Sequence, residues 1–445
     1  MKRPIRLSDH FSCKKLLRFT LPSILMALMT SVYSIVDGIF VSNFISTTAF
    51  AAVNLVIPIL TILAIFGYIF GAGGSALVAH ALGKKESEKA NRLFSLFVYS
   101  SIAVGFIMMI LGFIFLRDLL ILFGAKDKLL ADCLVYGYIF LFALPAWTLL
   151  YEFQMFFVTA QKPKLGFWVI TSAGVANIIL DFLFIAVFKW GIAGAAAASA
   201  LSQFGGGVFP LLYFMRQRKR SLLKLTGTTL DWHAVVKCCI NGSSEFISGV
   251  SIPFVGIIYN MQLLKYAGEN GVAAYGVIMY TSMFFIAVFF GYCNGVSPLF
   301  SYHYGAKNYV ELRNLLKKSL FIILTLSFAM LIVCEVFAYP ISAAFVGNNA
   351  ELLAMTVRAF AIYSTAYLFM GTAVFSSALF TALGNGEISA VISVLRSLVF
   401  ELGAVLLIPL IWNIDGIWVS VVIAEFMAAV VGIIFMIALQ KKYQY

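Results

Sequence analysis

Apolar runs of about twenty residues recur along the whole chain, each closed by a cluster of charged or turn-forming residues. They lie near 18–40, 51–79, 93–116, 132–158, 165–188, 191–214, 238–263, 271–301, 319–339, 353–381, 390–411 and 416–439. A helix needs about 20 apolar residues to cross a hydrocarbon core, so each run predicts one transmembrane span and the twelve together an all-α polytopic membrane protein. The longest polar stretch, RQRKRSLLKLTGTTLDWHAVVK from Arg216 to Lys237, reads as a linker with a short amphipathic surface helix. Nothing longer than a loop remains for a soluble domain, so any substrate is handled inside the bilayer or at its faces.

The second half of the pattern repeats the first. At an offset of 222 residues, and with no gap, Ala51-Ala52 falls on Ala273-Ala274, Gly73 and Ser75 on Gly295 and Ser297, Lys85 on Lys307, Thr159-Ala160 on Thr381-Ala382, and Trp190 and Gly194 on Trp412 and Gly416. Six crossings is an even number, so both copies enter the membrane the same way up. The expectation is two six-helix lobes related by a parallel repeat, residues 1–215 and 238–445, joined by the linker at 216–237 and enclosing a cavity near the midplane. Two acidic residues deep in the first copy are not repeated: Asp37 falls on Tyr259 and Asp181 on Gly403.

Composition sharpens this picture. The 445 residues are 62% hydrophobic and 11% charged, against about 25% charged in soluble domains. The net charge of +12 would suit a nucleic-acid partner, but its placement argues for topology. With the N-terminus inside, twenty-four of the 31 basic side chains fall on the inner face, five on the outer face and two, Arg358 and Arg396, within spans. That is the positive-inside signature, and it predicts a multi-pass protein of the cell membrane with both termini cytoplasmic and no nucleic-acid partner. The six cysteines and four histidines show no metal-ligand spacing. The sequence has no G-x-x-x-x-G-K-[ST] loop, no H-E-x-x-H and no nucleophile elbow. Energy is therefore expected from an ion gradient, with no cofactor and no enzymatic activity.

Prolines fall inside the predicted spans at 22, 58, 145, 253 and 298, where they free a carbonyl and favour bending. Small residues at 71–76, 191–200 and 205–207 favour close helix packing.

Ionisable residues within spans are expensive and default to functional hypotheses. Asn177 and Asp181, four apart on span five, share one helix face. By helical rise, Asp181 lies roughly 10 Å, Asp37 on span one roughly 8 Å and Ser199 on span six roughly 12 Å from the outer ends of their helices. Three helices thus offer two carboxylates, an amide and a hydroxyl at one level. This set suits a small hard cation such as Na⁺, and the same carboxylates could instead carry protons. Other candidates are Glu152 on span four, lining a cavity or reaching the interface, and Glu245 near the start of span seven. Arg396 and Glu401 on span eleven are five apart and poorly placed to pair with each other, so each needs a neighbour elsewhere. Glu425 on span twelve replaces Gln203 of the first copy. Tyr33, Tyr136 and Tyr259 could stack on a planar or cationic substrate.

The words IVDGIFVSNFISTTAFAAVNLVIPI, ANIILDFLFI, WGIAGAAAASALSQ, NGSSEF, AAYGVIMY and SPLFSYHYGAKN resemble those of the multidrug and toxic compound extrusion (MATE) family. The resemblance covers the whole chain and implies alternating access between two lobes, exporting amphipathic organic cations against Na⁺ or H⁺. It also implies an ion site at Asp37, Asn177, Asp181 and Ser199, where relatives usually carry Thr in place of Ser199, and a helix bend at Pro22. Some members hold a second ion site on spans seven and ten. Here span ten has no acid and Glu245 lies near the helix end, so coupling is expected in the first lobe. A lipid or lipid-linked oligosaccharide flippase is the alternative, disfavoured because only Arg358 and Arg396 could meet a pyrophosphate. An intramembrane aspartyl enzyme built on Asp37 and Asp181 is less favoured again, because Asn177 and Ser199 beside them suit ion ligation. The partners expected are small amphipathic molecules and membrane lipid, and a monomer suffices.

Overall fold

The structure, a computed structural model, describes residues 5–216, 221–347 and 349–445; positions 217–220 of the expected linker lie outside the described residues. Span one is α1 (Cys13–Phe44), opened by Ser12, whose hydroxyl accepts the Lys15 N–H. Span two divides at Ile65 into α2 (Thr47–Ala64) and α3 (Phe66–Gly83). Span three is α4 (Ser87–Leu122). Span four is α5 (Asp127–Leu141) and α6 (Leu144–Thr159), bent by 62° where Pro145 opens the second piece. Span five is α7 (Pro163–Asp181), continued by a π-helical stretch over Phe182–Val187, and span six is α8 (Gly191–Arg216).

The linker ends in α9 (Trp232–Asn241), capped by Asp231 and packed on α3 and α4. Next come α10 (Ser243–Gly305), α11 (Tyr309–Val346), α12 (Ala350–Ser364), α13 (Tyr367–Ala382) and α14 (Gly386–Val394). A second π-helical stretch, Leu395–Glu401, leads into α15 (Leu402–Leu407) and α16 (Pro409–Tyr443). Among the described residues, nine helices are long and apolar enough to cross a membrane, and two bent pairs (α5 with α6, α12 with α13) add two more. The 63-residue α10 would be about 95 Å long if straight, twice what a bilayer spans. It breaks at Gly268, where φ is 59° and ψ −151°, and so supplies spans seven and eight, giving the expected twelve. The helices run through Pro22, Pro58, Pro253 and Pro298. The 45° bend between α12 and α13 has no proline at all.

The backbone carries the 222-residue repeat in places the side chains do not. Left-handed residues close equivalent turns: Lys85 (φ 64°) matches Lys307 (φ 54°), and Gly191 (φ 59°) matches Asn413 (φ 50°). The contacts between the two repeats are reciprocal as well. Gly83 lies against the Tyr302 carbonyl, and Gly305, its equivalent, lies against the carbonyl of His80, the equivalent of Tyr302. Gly73 meets the backbone of Cys238 and Gly242, while its equivalent Gly295 meets Thr20, the equivalent of Gly242. A side chain at Gly73, Gly83 or Gly305 would collide with backbone, and one at Gly295 would press on the Thr20 side chain, which is why the close approach requires glycine. A local two-fold relation therefore holds the two repeats together.

All of these approaches lie toward the face that carries both chain ends and α9. The same face is tied by the N-terminal segment, where Leu7 and Phe11 are fully buried. Glu311 at the start of α11 accepts the Phe11 N–H at 2.9 Å and bonds the His10 ring at 2.6 Å, while Asn314 donates to the Phe11 carbonyl at 3.0 Å. Toward the opposite face, large side chains at the far ends of the same helices, including Phe44, Met261 and Tyr280, are exposed.

Candidate functional site

In the first repeat, α1, α5, α7 and α8 converge on one cluster of oxygens. Asn177 and Asp181 sit one turn apart on α7 and are both buried, Asp181 completely. Ser199, on α8 where a small-residue run allows close approach, donates to Asp37 Oδ1 at 3.4 Å and receives the Asn177 side-chain N–H at 3.4 Å. Both bonds are long against the usual 2.7–3.2 Å, so the oxygens surround a space without closing it. The Asp37 and Asp181 carboxyls face each other, and among the described residues neither Asp181 oxygen has a hydrogen-bond donor. Tyr136, fully buried on α5, turns its phenol toward Asp37, Ser199 and Asp181.

The chemistry of this set follows from its charges. Two facing carboxylates, Asp181 fully buried and Asp37 half-buried, with no Lys, Arg or His beside them among the described residues, are each destabilised by desolvation and by one another. A shared positive charge relieves both effects. The orphaned Asp181 oxygens, the Asp37 carboxylate, the Asn177 amide and the Ser199 hydroxyl fit a small hard cation with oxygen ligands, and a proton shared by the two acids fits the same geometry. The backbone departs from regular α-helix directly after Asp181, in a π-helical stretch of the kind often found at functional positions.

The sequence grouped four residues, and the structure brings all four together. It adds Tyr136, whose sequence neighbourhood gives no sign of the partner it meets. Tyr33, half-buried on α1, receives a long 3.5 Å bond from Gln203 and packs on Gly174 beside the cluster. Pro22 is buried in the end of α1 that packs on the second repeat. Glu152 reaches neither a cavity nor the interface. It is fully buried on α6 among α3, α4 and α9, near Ser101 and Cys238, and neither of its oxygens is bonded among the described residues.

The second repeat is arranged differently. Arg396 finds the neighbour that its own helix denies it: its Nε lies 3.0 Å from each Glu425 oxygen, and its Nη2 lies 2.6 Å from Oε1. Glu401 joins this group electrostatically, together with Tyr259, Tyr275 and Tyr363. Glu245, half-buried in the first turn of α10, lines a cavity of about 20 Å³ with Ser248, Asn294, Ser377, Ser393 and Arg396. Arg358 is largely exposed and paired with Asp415. Both span-borne arginines are thus bound to acids, and neither stands free for a pyrophosphate.

Known proteins share this organisation. The MatE family model matches residues 22–183 and 246–407, two segments whose starts differ by 224 residues, within two of the offset read from the sequence. The chain is 23% identical over 432 residues to the multidrug export protein MepA of Staphylococcus saprophyticus, covering 96% of this chain and 94% of that protein. Among solved structures, a MATE protein in complex with MaL6 superposes with a TM-score of 0.93 at 20% identity over the full length of both chains. An outward-facing multidrug resistance MATE transporter of the MOP superfamily gives 0.92 at 20% identity, also over both full lengths.

Proposed function

The chain belongs to the MatE family, and from that premise we propose that it is a secondary multidrug exporter whose driving ion, Na⁺ or H⁺, binds at Asp37, Asn177, Asp181 and Ser199. The observation that carries this reading is the pair of facing carboxylates, half-buried Asp37 and fully buried Asp181, with no donor on either Asp181 oxygen among the described residues. Such a pair is stable only with a cation or proton between its members, and it therefore responds to the concentration of that ion. Relatives named as multidrug export proteins support small amphipathic molecules, cationic ones above all, as the cargo.

The working cycle follows from the two faces. The close glycine-lined backbone approaches between the repeats lie toward the face of the termini, which the charge distribution assigns to the cytoplasm. This arrangement opens outward, with Asp37 and Asp181 on the outer half of their helices. An ion arriving from outside neutralises the pair and alters the packing of α1 against α7 and α8, which favours the conformation that releases the drug. Ion and drug need no common ligand, only opposite preferences for the two conformations. In this reading residues 1–215 and 238–445 move as lobes about the linker at 216–237, and one chain suffices. Dye efflux from proteoliposomes, with Na⁺ and pH gradients imposed separately, tests it. Efflux driven by one gradient in the wild type and by neither in Asp181→Asn is expected; full gradient-driven efflux by both Asp37→Asn and Asp181→Asn would overturn it.

A further inference from the structure

The group around Arg396 lies on the second-repeat counterparts of the helices that build the Asp37–Asp181 cluster. The first cluster is built on spans one, five and six; this one is built on spans seven, eleven and twelve, the same three after a shift of six. Tyr259 stands at the position equivalent to Asp37 and Glu425 at that of Gln203. Glu401 and Arg396 lie on the π-helical stretch of span eleven, as Asp181 adjoins the one on span five. Acids of spans eleven and twelve again share one electrostatic environment: the Glu425 side chain is 4% exposed beside that of Arg396 at 16%, and half-buried Glu401 lies in the field of both. The difference is that a guanidinium is already among them. The Tyr259 hydroxyl, in a residue 1% exposed, has no hydrogen-bond partner among the described residues and lies in the field of Glu401 and Glu425.

We propose that the second repeat contains a cryptic small-cation site formed by Glu401, Glu425 and the Tyr259 hydroxyl, which Arg396 fills permanently as a tethered cation. A covalently attached guanidinium cannot leave or be replaced by mass action, so this site holds its cation in every conformation and is indifferent to ion gradients. The rings of Tyr259 and Tyr275 stack with centroids 5.5 Å apart and planes 6° from parallel, which leaves no slot for an organic cation. The ligand class is therefore a monovalent inorganic ion or a proton. Removing the guanidinium leaves two carboxylates in the predicament of Asp37 and Asp181, and they must recruit a cation from solution.

The inference rests on the reading of the first-repeat pair as the ion site, and the experiment separates the two. Purified protein in detergent is assayed for radioactive sodium binding and, without sodium, for proton release into a weakly buffered medium. Binding is expected in the wild type and none in D37N/D181N; Arg396→Gln on that double variant is expected to restore a single ion per chain, and adding Glu425→Gln to abolish it again. If D37N/D181N is silent and Arg396→Gln restores neither sodium nor proton, the inference is overturned while the first-repeat reading stands. If D37N/D181N binds as the wild type does, that reading fails, and the inference is judged by whether Arg396→Gln in the wild-type background raises one ion per chain to two. Arg396→Met, which preserves side-chain bulk, and the rise of Tm in sodium chloride over choline chloride give the same answer should Arg396→Gln be too unstable for equilibrium binding.

Discussion

The two repeats share a backbone and differ in how each satisfies its buried acids. Equivalent turns close on left-handed residues, and equivalent glycines meet equivalent carbonyls across the interface between the repeats. In the first repeat, Asp37 and Asp181 face one another with no cationic side chain between them. In the second, Glu425 is bound by the Nε and Nη2 of Arg396. Duplication preserved what packing requires, because a misplaced side chain at Gly83 or Gly305 would hold the repeats apart. It left the charge balance free to diverge, and only the repeat whose acids must borrow a cation from solution can sense an ion gradient.

The largest expected effect breaks that asymmetry outright. Asp181→Asn removes one of the two facing carboxylates and is expected to abolish gradient-driven dye efflux at unchanged expression, read in proteoliposomes. Next in size is a stability effect confined to the second repeat. Glu425→Gln strands Arg396 in a buried position at a cost of about 3–5 kcal/mol, seen as a large fall in Tm, and the apolar pair Arg396→Met with Glu425→Met recovers most of it. A smaller effect should be equal in the two repeats: Gly83→Val and Gly305→Val each press a side chain into the carbonyl opposite and cost about 1–3 kcal/mol by overpacking, measured by thermal unfolding. Gly205→Ala, inside α8 with nothing within 4 Å of the added atom, is the control and should leave Tm unchanged or slightly raised. Smallest is Ser199→Ala, which removes one neutral oxygen worth about 1 kcal/mol and raises the half-saturating ion concentration about fivefold; Ser199→Thr should restore it.

Much of this was legible in the sequence because membranes write long, simple signals. Span count, repeat and the Asp37–Asn177–Asp181–Ser199 grouping follow from run length, exact offset and helical phase, all local quantities. What stayed hidden depends on neighbours distant in sequence. Arg396 and Glu425 are 29 residues apart on different helices, and no periodicity links them. Tyr136 is one of twenty tyrosines and gains its place only when α5 turns against α8. Glu152 reads equally as a cavity or an interface residue because a buried, unbonded carboxyl has no sequence signature distinct from an accessible one. Proline marks the break in span four, where Pro145 opens α6, while the bend between α12 and α13 falls at Thr365 and Ala366, residues that give no warning.

The most direct test of the asymmetry compares two double variants in one assay, dye export from proteoliposomes under imposed sodium and pH gradients. D37N/D181N neutralises the acids of the first repeat, and E245Q/E401Q those of the second that lack an ion-pair partner. The account expects no gradient-driven export from D37N/D181N and export from E245Q/E401Q that still follows the wild-type ion. Export by D37N/D181N that tracks the gradient, with E245Q/E401Q silent, would contradict it.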